Sequence, residues 1–298
     1  SSPQPERQRP RWGYFTGGPD IAEEVQTVQD AIGAVPDFLT TFVGWHGEGQ
    51  IPEAVIETAR AHKQTVIVFW EVYTPGVFPS EDSAFSCNEI LSGRYDEYLE
   101  QFAQTAGRAG VPILLIPFPE PNGKWTPQCV VTNGNTAESF RSAFKHTASF
   151  FDNLPNVRVG LAMNSNSVPD PVTAPENAIS EYVLGSGAEF VGIDGFNFGP
   201  PQAPWLSAAA ILGPAVAEIE ELKIEGIAEK IMVTSFGCAL GEARVVWIEE
   251  ALAYVRTHGA GFDFSYFGEN KAGQSDWERD WGILNDPNAL KAFRDGVV

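Results

Sequence analysis

The stretch VPILLIPFPEPNGKW, residues 111–125, is an apolar run that ends at one carboxylate. Residues 111–118 have the continuous hydrophobic character of a strand covered on both faces, as in a parallel sheet. Glu120 follows between Pro119 and Pro121, and each proline restricts the backbone beside it. The pattern predicts a buried strand that ends on a rigidly held glutamate.

The same organisation recurs along the chain, as short apolar runs that alternate with segments of helical periodicity. The predicted strands are 11–17, 37–45, 64–72, 111–118, 157–164, 190–198, 230–236 and 262–270. Eight such units within 298 residues predict an α/β fold with a single (β/α)₈ TIM barrel over residues 11–298, rather than a doubly wound sheet. Residues 1–10, SSPQPERQRP, are predicted to be a disordered lead-in or linker.

The composition restricts the partners. Thirty-nine acidic residues against 19 basic ones give a net charge of −20, which disfavours nucleic acid and anionic membrane surfaces. No apolar run approaches the roughly 20 residues that span a bilayer. We expect a monomer that acts on a neutral or cationic ligand. With 22 prolines, eight tryptophans and two methionines, we expect a secreted enzyme, although no signal peptide is visible.

The three cysteines are too few for a disulfide scaffold. Cys87 and Cys129 both lie in loop-like sequence. They pair in an oxidising compartment or remain free, and the sequence leaves both states open. If they pair, Cys238 is left as a free thiol.

Polar and aromatic residues follow the predicted strands, at the end where a barrel of this kind carries its chemistry. They are Trp45 and His46 after the second strand, Trp70 and Glu71 after the third, Glu120, Asn122 and Trp125 after the fourth, Asn164 after the fifth, Asp194 on the sixth, Ser235 on the seventh, and Phe267, Glu269, Asn270 and Lys271 after the eighth. Tryptophans beside carboxylates and amides are typical of a sugar-binding cleft, because aromatic faces stack on pyranose rings. The alternatives are barrel packing for the aromatic residues, turn formation for the asparagines and hydrogen-bond acceptance at a strand end for Asp194.

Glu120 is the strongest single candidate for catalysis. A carboxyl group in a partly apolar pocket has a raised pKa and serves as a general acid near neutral pH. The alternative is a loop glutamate that caps the strand end. Other chemistries lack their patterns: no His or Cys spacing fits a protein-held metal, no glycine-rich phosphate loop follows a strand, and no G-x-S-x-G elbow occurs. We expect no cofactor.

Four motifs resemble glycoside hydrolase family 26, which includes β-mannanases and mixed-linkage β-glucanases. They are PEPNGKW (119–125), VGIDGFN (191–197), KIMVTSFGCA (230–239) and the closing FGENK…DW…ILNDPNALKAFRD. The resemblance implies a retaining mechanism on β-linked mannan or glucan. In that mechanism one carboxyl group is the acid/base and a second, about 5–5.5 Å away, is the nucleophile. Glu120 matches the acid/base.

The nucleophile position matches Ser235, whose hydroxyl group cannot supply the negative charge of a carboxylate. Pro119, Ile116 and Phe196 replace the family's histidine, arginine and tyrosine nearby. Three hypotheses follow. The chain is a glycosidase, in which either Ser235 is an engineered replacement or Glu71 or Glu269 supplies the second carboxylate. Alternatively it is a carbohydrate-binding pseudoenzyme, or a barrel with unrelated chemistry.

Overall fold

A computed structural model describes residues 9–298, in which parallel strands form a barrel with helices on its outside. The strands are β1 (Trp12–Phe15), β2 (Phe38–Gly44), β3 (Thr65–Glu71), β4 (Ile113–Pro117), β5 (Val157–Val159), β6 (Leu161–Asn164), β7 (Val191–Asn197), β8 (Ile231–Cys238) and β9 (Phe264–Phe267). The α-helices are α1 (Ile21–Ile32), α2 (Glu53–His62), α3 (Cys87–Leu91), α4 (Asp96–Arg108), α5 (Ala137–Ser149), α6 (Ile179–Val183), α7 (Ala208–Glu221), α8 (Arg244–Thr257) and α9 (Pro287–Val297). Short 3₁₀ helices cover Ser83–Phe85, Pro175–Asn177 and Ala228–Lys230.

The sheet closes through β1 on one side and through the β5–β6 segment on the other. β1 pairs with both β2 and β9, while β5 pairs with β4 and β6 pairs with β7. Gly160 alone separates β5 from β6, and its N–H donates a 3.0 Å hydrogen bond to the carbonyl of Leu115 on β4. The two short strands therefore act as one barrel strand. All eight predicted strands and the predicted (β/α)₈ barrel are confirmed.

Alternate strand residues face the two sides of the barrel wall. Ile67 and Phe69 of β3 pack inside the barrel in a buried cluster that also holds Ile116 of β4. The next residue along β3, Trp70, faces outward and stacks on Phe102 of α4 with ring centroids 4.1 Å apart. Both faces are thus apolar, which explains the continuous hydrophobic runs in the sequence.

Local signals determine where several helices begin and end. Asp20 caps α1 by accepting a hydrogen bond from the N–H of Glu23, and Gly33 ends the helix at φ 87°. Thr136 and Ser139 form a reciprocal capping box at the start of α5. The segment NAISEYVLG (177–185) has helical periodicity in the sequence, but only five of its residues form the helix α6.

Three predictions from the sequence concern the N-terminal residues, a membrane-spanning segment and the pairing of the cysteines. Residues 1–8 of the predicted lead-in lie outside the described residues, whereas Arg9 forms an ion pair with Asp37 at 3.4 Å. Within residues 9–298 no helix combines the length and apolar character needed to cross a membrane. Cys87, Cys129 and Cys238 are buried free thiols, so the considered Cys87–Cys129 disulfide is not formed.

Candidate active site

The backbone of Glu120 has an unusual conformation at the end of β4. Phe118 has φ 55° and Glu120 has φ 54°, both in the left-handed region that non-glycine residues rarely adopt. The Glu120 N–H donates a 2.8 Å hydrogen bond to the carbonyl of Ala162 on β6. Two bends and this bond fix the half-buried Glu120 side chain at the barrel mouth. Such strain is characteristic of functional positions.

Trp125 is the direct partner of the Glu120 carboxylate. Its indole Nε1 donates a 2.8 Å hydrogen bond to Glu120 Oε2. The ring lies over Gly123, where a Cβ atom would stand 2.4 Å from it. Because 40% of Trp125 remains exposed, an aromatic face and a carboxyl group are presented together. This combination suits a sugar ring whose glycosidic oxygen reaches the acid.

Asp194 on β7 is the second carboxyl group in contact with Glu120. It is only 3% exposed, and its Oδ1 accepts a 2.6 Å hydrogen bond from Thr234 Oγ1. Burial and the neighbouring Glu120 charge raise the pKa of Asp194 well above its usual value. Burial also raises the pKa of Glu120, against the opposing effects of the Trp125 bond, the Asp194 bond and the Lys271 ammonium group.

Ser235 lies beside Asp194 in the β7–β8 register and is 7% exposed. Among the hydrogen bonds of the described residues, none involves its hydroxyl group. Around it the wall is apolar: Ile116 is fully buried, and the Phe196 ring packs against Trp281 with centroids 5.0 Å apart. This part of the barrel wall therefore has no carboxylate at Ser235 on β8, the position that matches the nucleophile of the family that the motifs resemble.

Glu71 and Glu269, the two candidates for a second carboxylate, lie in different surroundings. Glu71 ends β3 and is half-buried; burial raises its pKa, Lys271 opposes this rise, and the Glu120 charge adds to it. Glu269 packs against Gly17 instead; burial raises its pKa, Lys271 opposes this rise, and the Glu278 charge adds to it. Glu71 is therefore within electrostatic range of Glu120, whereas Glu269 lies toward the β1 side of the mouth.

Lys271 is held by Glu278, with its Nζ 2.8 Å from Oε1. Its charge acts on Glu71, Glu120 and Glu269 alike. The predicted site lysine is thus a central cation among carboxylates, already partly neutralised by one of them.

The structure corrects three predicted binding residues. Trp45 and Trp70 are 3% and 0% exposed, and their rings pack together at 4.9 Å in the outer core, so neither forms a sugar platform. The Trp70 Nε1 donates to the hydroxyl group of Tyr98 at 2.9 Å. Asn122 is fully buried and donates to the carbonyl of Asn164 at 2.9 Å, so it joins two loops.

For four other residues the predicted role in substrate binding stays a prediction. Asn164 is half-buried and donates to the carbonyl of Asn166 at 2.7 Å. His46 and Asn270 are exposed, and the Asn270 side chain accepts a hydrogen bond from the N–H of Ala272. Phe267 is half-buried among other phenylalanines.

The sequence analysis did not identify an aromatic cluster inside the barrel, formed by Phe15, Phe42, Phe69 and Phe267. Phe42 of β2 is 38% exposed, stacks on Phe69 at 4.9 Å and contacts Phe15 at 5.1 Å. Phe15 in turn meets Phe267 at 5.2 Å. The inward alternation of Phe38 and Phe42 was the available signal. The hydrogen bond from Thr234 to Asp194 could not be predicted from the sequence, where Thr234 is marked only by its place next to Ser235.

The described residues contain no group of three or more His, Cys, Asp and Glu side chains arranged to hold a metal ion.

No protein-family model matches the chain. Endoglucanase H of Acetivibrio thermocellus is 24% identical over 292 residues, which is 96% of this chain but 30% of that protein. The chain thus spans less than a third of that relative's length.

Solved structures share the fold at low identity. The β-mannanase BoMan26A of Bacteroides ovatus, a GH26 enzyme, is 14% identical, with 98% of this chain and 89% of that chain covered and a TM-score of 0.65. The YdhT protein of Bacillus subtilis is 13% identical, with 98% and 87% covered and a TM-score of 0.67. A modular endo-β-1,4-mannanase of Cellulomonas fimi is 15% identical, with 97% and 73% covered and a TM-score of 0.63. The chain therefore has the fold of glycoside hydrolase family 26 mannanases, the family that its motifs resemble.

Proposed function

We propose that the chain is a glycoside hydrolase that acts on a neutral β-linked polysaccharide of the mannan or glucan class, with Glu120 as the general acid. The observation that carries this proposal is the Glu120 carboxyl group, hydrogen-bonded to the half-exposed Trp125 at the barrel mouth. A protonated carboxyl group there can donate to a glycosidic oxygen while the indole ring stacks on a sugar. The mannanases and the endoglucanase to which the chain is similar support the substrate class.

The second carboxylate of this proposal is Glu71. Its pKa responds to the Glu120 charge, whereas Glu269 packs against Gly17 and responds to Glu278 instead. A carboxylate that activates water, with the acid roughly 6.5–9.5 Å away, gives inversion of the anomeric centre. Ser235 supplies no charge for a retaining mechanism. Secretion and a monomeric state remain part of the same proposal.

A product screen tests the proposal. Mannan, mixed-linkage glucan, xylan and arabinan are incubated with the protein, and NMR identifies the products and their first-formed anomer. We expect release from mannan or glucan, and loss of that release with unchanged ligand affinity in Glu120→Gln. Hydrolysis that persists in Glu120→Gln would refute the assignment of the acid.

A carbohydrate-binding pseudoenzyme is the second candidate, favoured by the uncharged Ser235. It predicts binding of the same polysaccharides without products from any of them. Affinity electrophoresis in gels that contain each polysaccharide separates this outcome from a complete lack of recognition.

A further inference from the structure

The contact between Asp194 and Glu120 leaves one carboxyl group with no role in the proposed reaction. Asp194 is almost fully buried, and one of its oxygens is bound by the hydroxyl group of Thr234. Its carboxyl group is also in hydrogen-bonding contact with that of Glu120. Two ionised carboxylates in contact repel strongly, and burial increases this cost.

Among residues 9–298, no cationic side chain acts on Asp194 to relieve that repulsion. The ammonium group of Lys271 acts on Glu120, and it is already paired with Glu278 at 2.8 Å. On the neighbouring strand, Thr234 and Ser235 are uncharged. A proton held between the two carboxyl groups is the remaining means of neutralising one of them.

We propose that Asp194 is a positioning residue whose carboxyl group shares one proton with that of Glu120. The pair then carries a single negative charge and keeps a proton at the barrel mouth. This inference rests on the proposed function only for the use of the proton, not for its presence.

The pair compensates for the absence of a carboxylate at Ser235. In a site with two catalytic carboxyl groups, the ionised one helps to keep the other protonated. Ser235 cannot do this, and Asp194 is its partner in the β7–β8 register. During glycosidic cleavage the shared proton passes from Glu120 to the leaving oxygen, the C–O bond breaks, and the pair is left with two negative charges. Glu71 accepts the proton of the attacking water and later releases it to solvent, and a proton taken up from solvent restores the pair.

Other charged or hydrogen-bonding groups near Glu120 also affect its titration. Trp125 donates a hydrogen bond to Glu120 Oε2, Lys271 contributes a positive charge, and Glu71 a negative one. The buried thiol of Cys129 also lies near enough to feel the Glu120 charge. In the part of the chain that the structure describes, Asp194 is the one carboxyl group in hydrogen-bonding contact with Glu120.

Carboxyl ¹³C NMR of the whole chain tests the inference without any substrate. Protein labelled at the Glu and Asp carboxyl carbons is titrated, and Glu120→Gln and Asp194→Asn assign the two signals. We expect both signals to move in two shared steps, the second above the ordinary range near pH 4. In Asp194→Asn, Glu120 should titrate in one step, about one pH unit or more below the wild-type second step.

Two matched variants control for general effects. Glu71→Gln removes a carboxylate that is within electrostatic range of Glu120 without contacting it, so the two-step titration should remain. Thr234→Val removes the hydroxyl donor and keeps both carboxyl groups, so the shared steps should also remain. If Asp194→Asn does not fold, the wild-type protein and Thr234→Val still give the number of steps.

A single Glu120 step that is unchanged by Asp194→Asn would overturn the inference. Two shared steps in a protein that hydrolyses none of the polysaccharides would support the pair and contradict the proposed function. In a protein that does hydrolyse them, the alkaline limb of kcat/KM should move to lower pH in Asp194→Asn.

Discussion

The indole Nε1 of Trp125 donates a 2.8 Å hydrogen bond to Oε2 of Glu120, five residues earlier in the chain. The turn between them brings the aromatic ring back over Gly123, so one short loop presents both a carboxyl group and an exposed aromatic face. The bond favours the ionised form of Glu120 and opposes the effect of burial on its pKa. The reactivity of Glu120 therefore depends on the neighbouring ring.

Replacing Trp125 with phenylalanine keeps an aromatic face and removes the donor. Because the lost bond had lowered the pKa of Glu120, that pKa should rise, and the alkaline limb of the pH–rate profile should move to higher pH. A hydrogen bond to a charged group contributes about 1.5–3 kcal/mol, so activity should fall about 10- to 100-fold. Trp277→Phe is the control, since Trp277 is 60% exposed and contacts the Phe198 ring rather than Glu120. Equal profiles for the two variants would contradict the prediction.

Glu71→Gln and Glu269→Gln distinguish the two candidates for the second carboxylate. Loss of a general base reduces turnover by roughly 10²- to 10⁴-fold, and we expect this for Glu71→Gln. Glu269→Gln should have a much smaller effect, because Glu269 lies against Gly17 and away from Glu120. Initial rates on the best substrate of the product screen measure both. The reverse ranking would assign the role to Glu269.

Ser235→Glu restores a carboxylate at the position that matches the family's nucleophile. If its carboxyl group comes within about 5–5.5 Å of Glu120, hydrolysis of β-1,4-linked glucan or mannan should appear or increase, with retention of configuration. NMR of the first-formed anomer measures the outcome. Ser235→Gln matches the size without the charge and should give no gain. Inverted product from Ser235→Glu would show that Glu71 still activates the water.

Arg244 at the start of α8 is buried, with 1% exposure, and links β8 to the segment before α9. It donates to the carbonyls of Cys238, Gly282 and Asp280, and forms an ion pair with Asp286 at 3.7 Å. Arg244→Met would leave these acceptors without a partner, so the free energy of unfolding should fall by about 3–5 kcal/mol.

Denaturant unfolding measures the effect of this substitution. Arg256→Met is the matched control, since Arg256 is exposed and donates only to the Gly296 carbonyl. A change within about 0.5 kcal/mol is expected there. A similarly small change for Arg244→Met would show that water replaces the arginine.

The order of elements could be read from the sequence because it depends on local patterns. The apolar run 111–118 corresponds to the strand β4, and the helical periodicity of residues 20–34 corresponds to the helix α1. Both patterns reflect which residues of the element are buried. The position of Glu120 at the end of a strand could be predicted from the same pattern, because the apolar run stops at Pro119. Cap and turn residues such as Gly33 refined the boundaries.

Which of these tryptophans is exposed at the barrel mouth depended on contacts between distant segments. Trp45, Trp70 and Trp125 all follow strands, yet the first two are buried against each other and only the third is exposed. In a parallel barrel both faces of a strand are apolar, so the sequence pattern does not distinguish a ring that faces the helices from one that faces the mouth. The contact between Glu120 and Asp194 likewise required closure of the barrel, which brings residues 74 positions apart together and turns two ordinary carboxyl groups into a pair with raised pKa values.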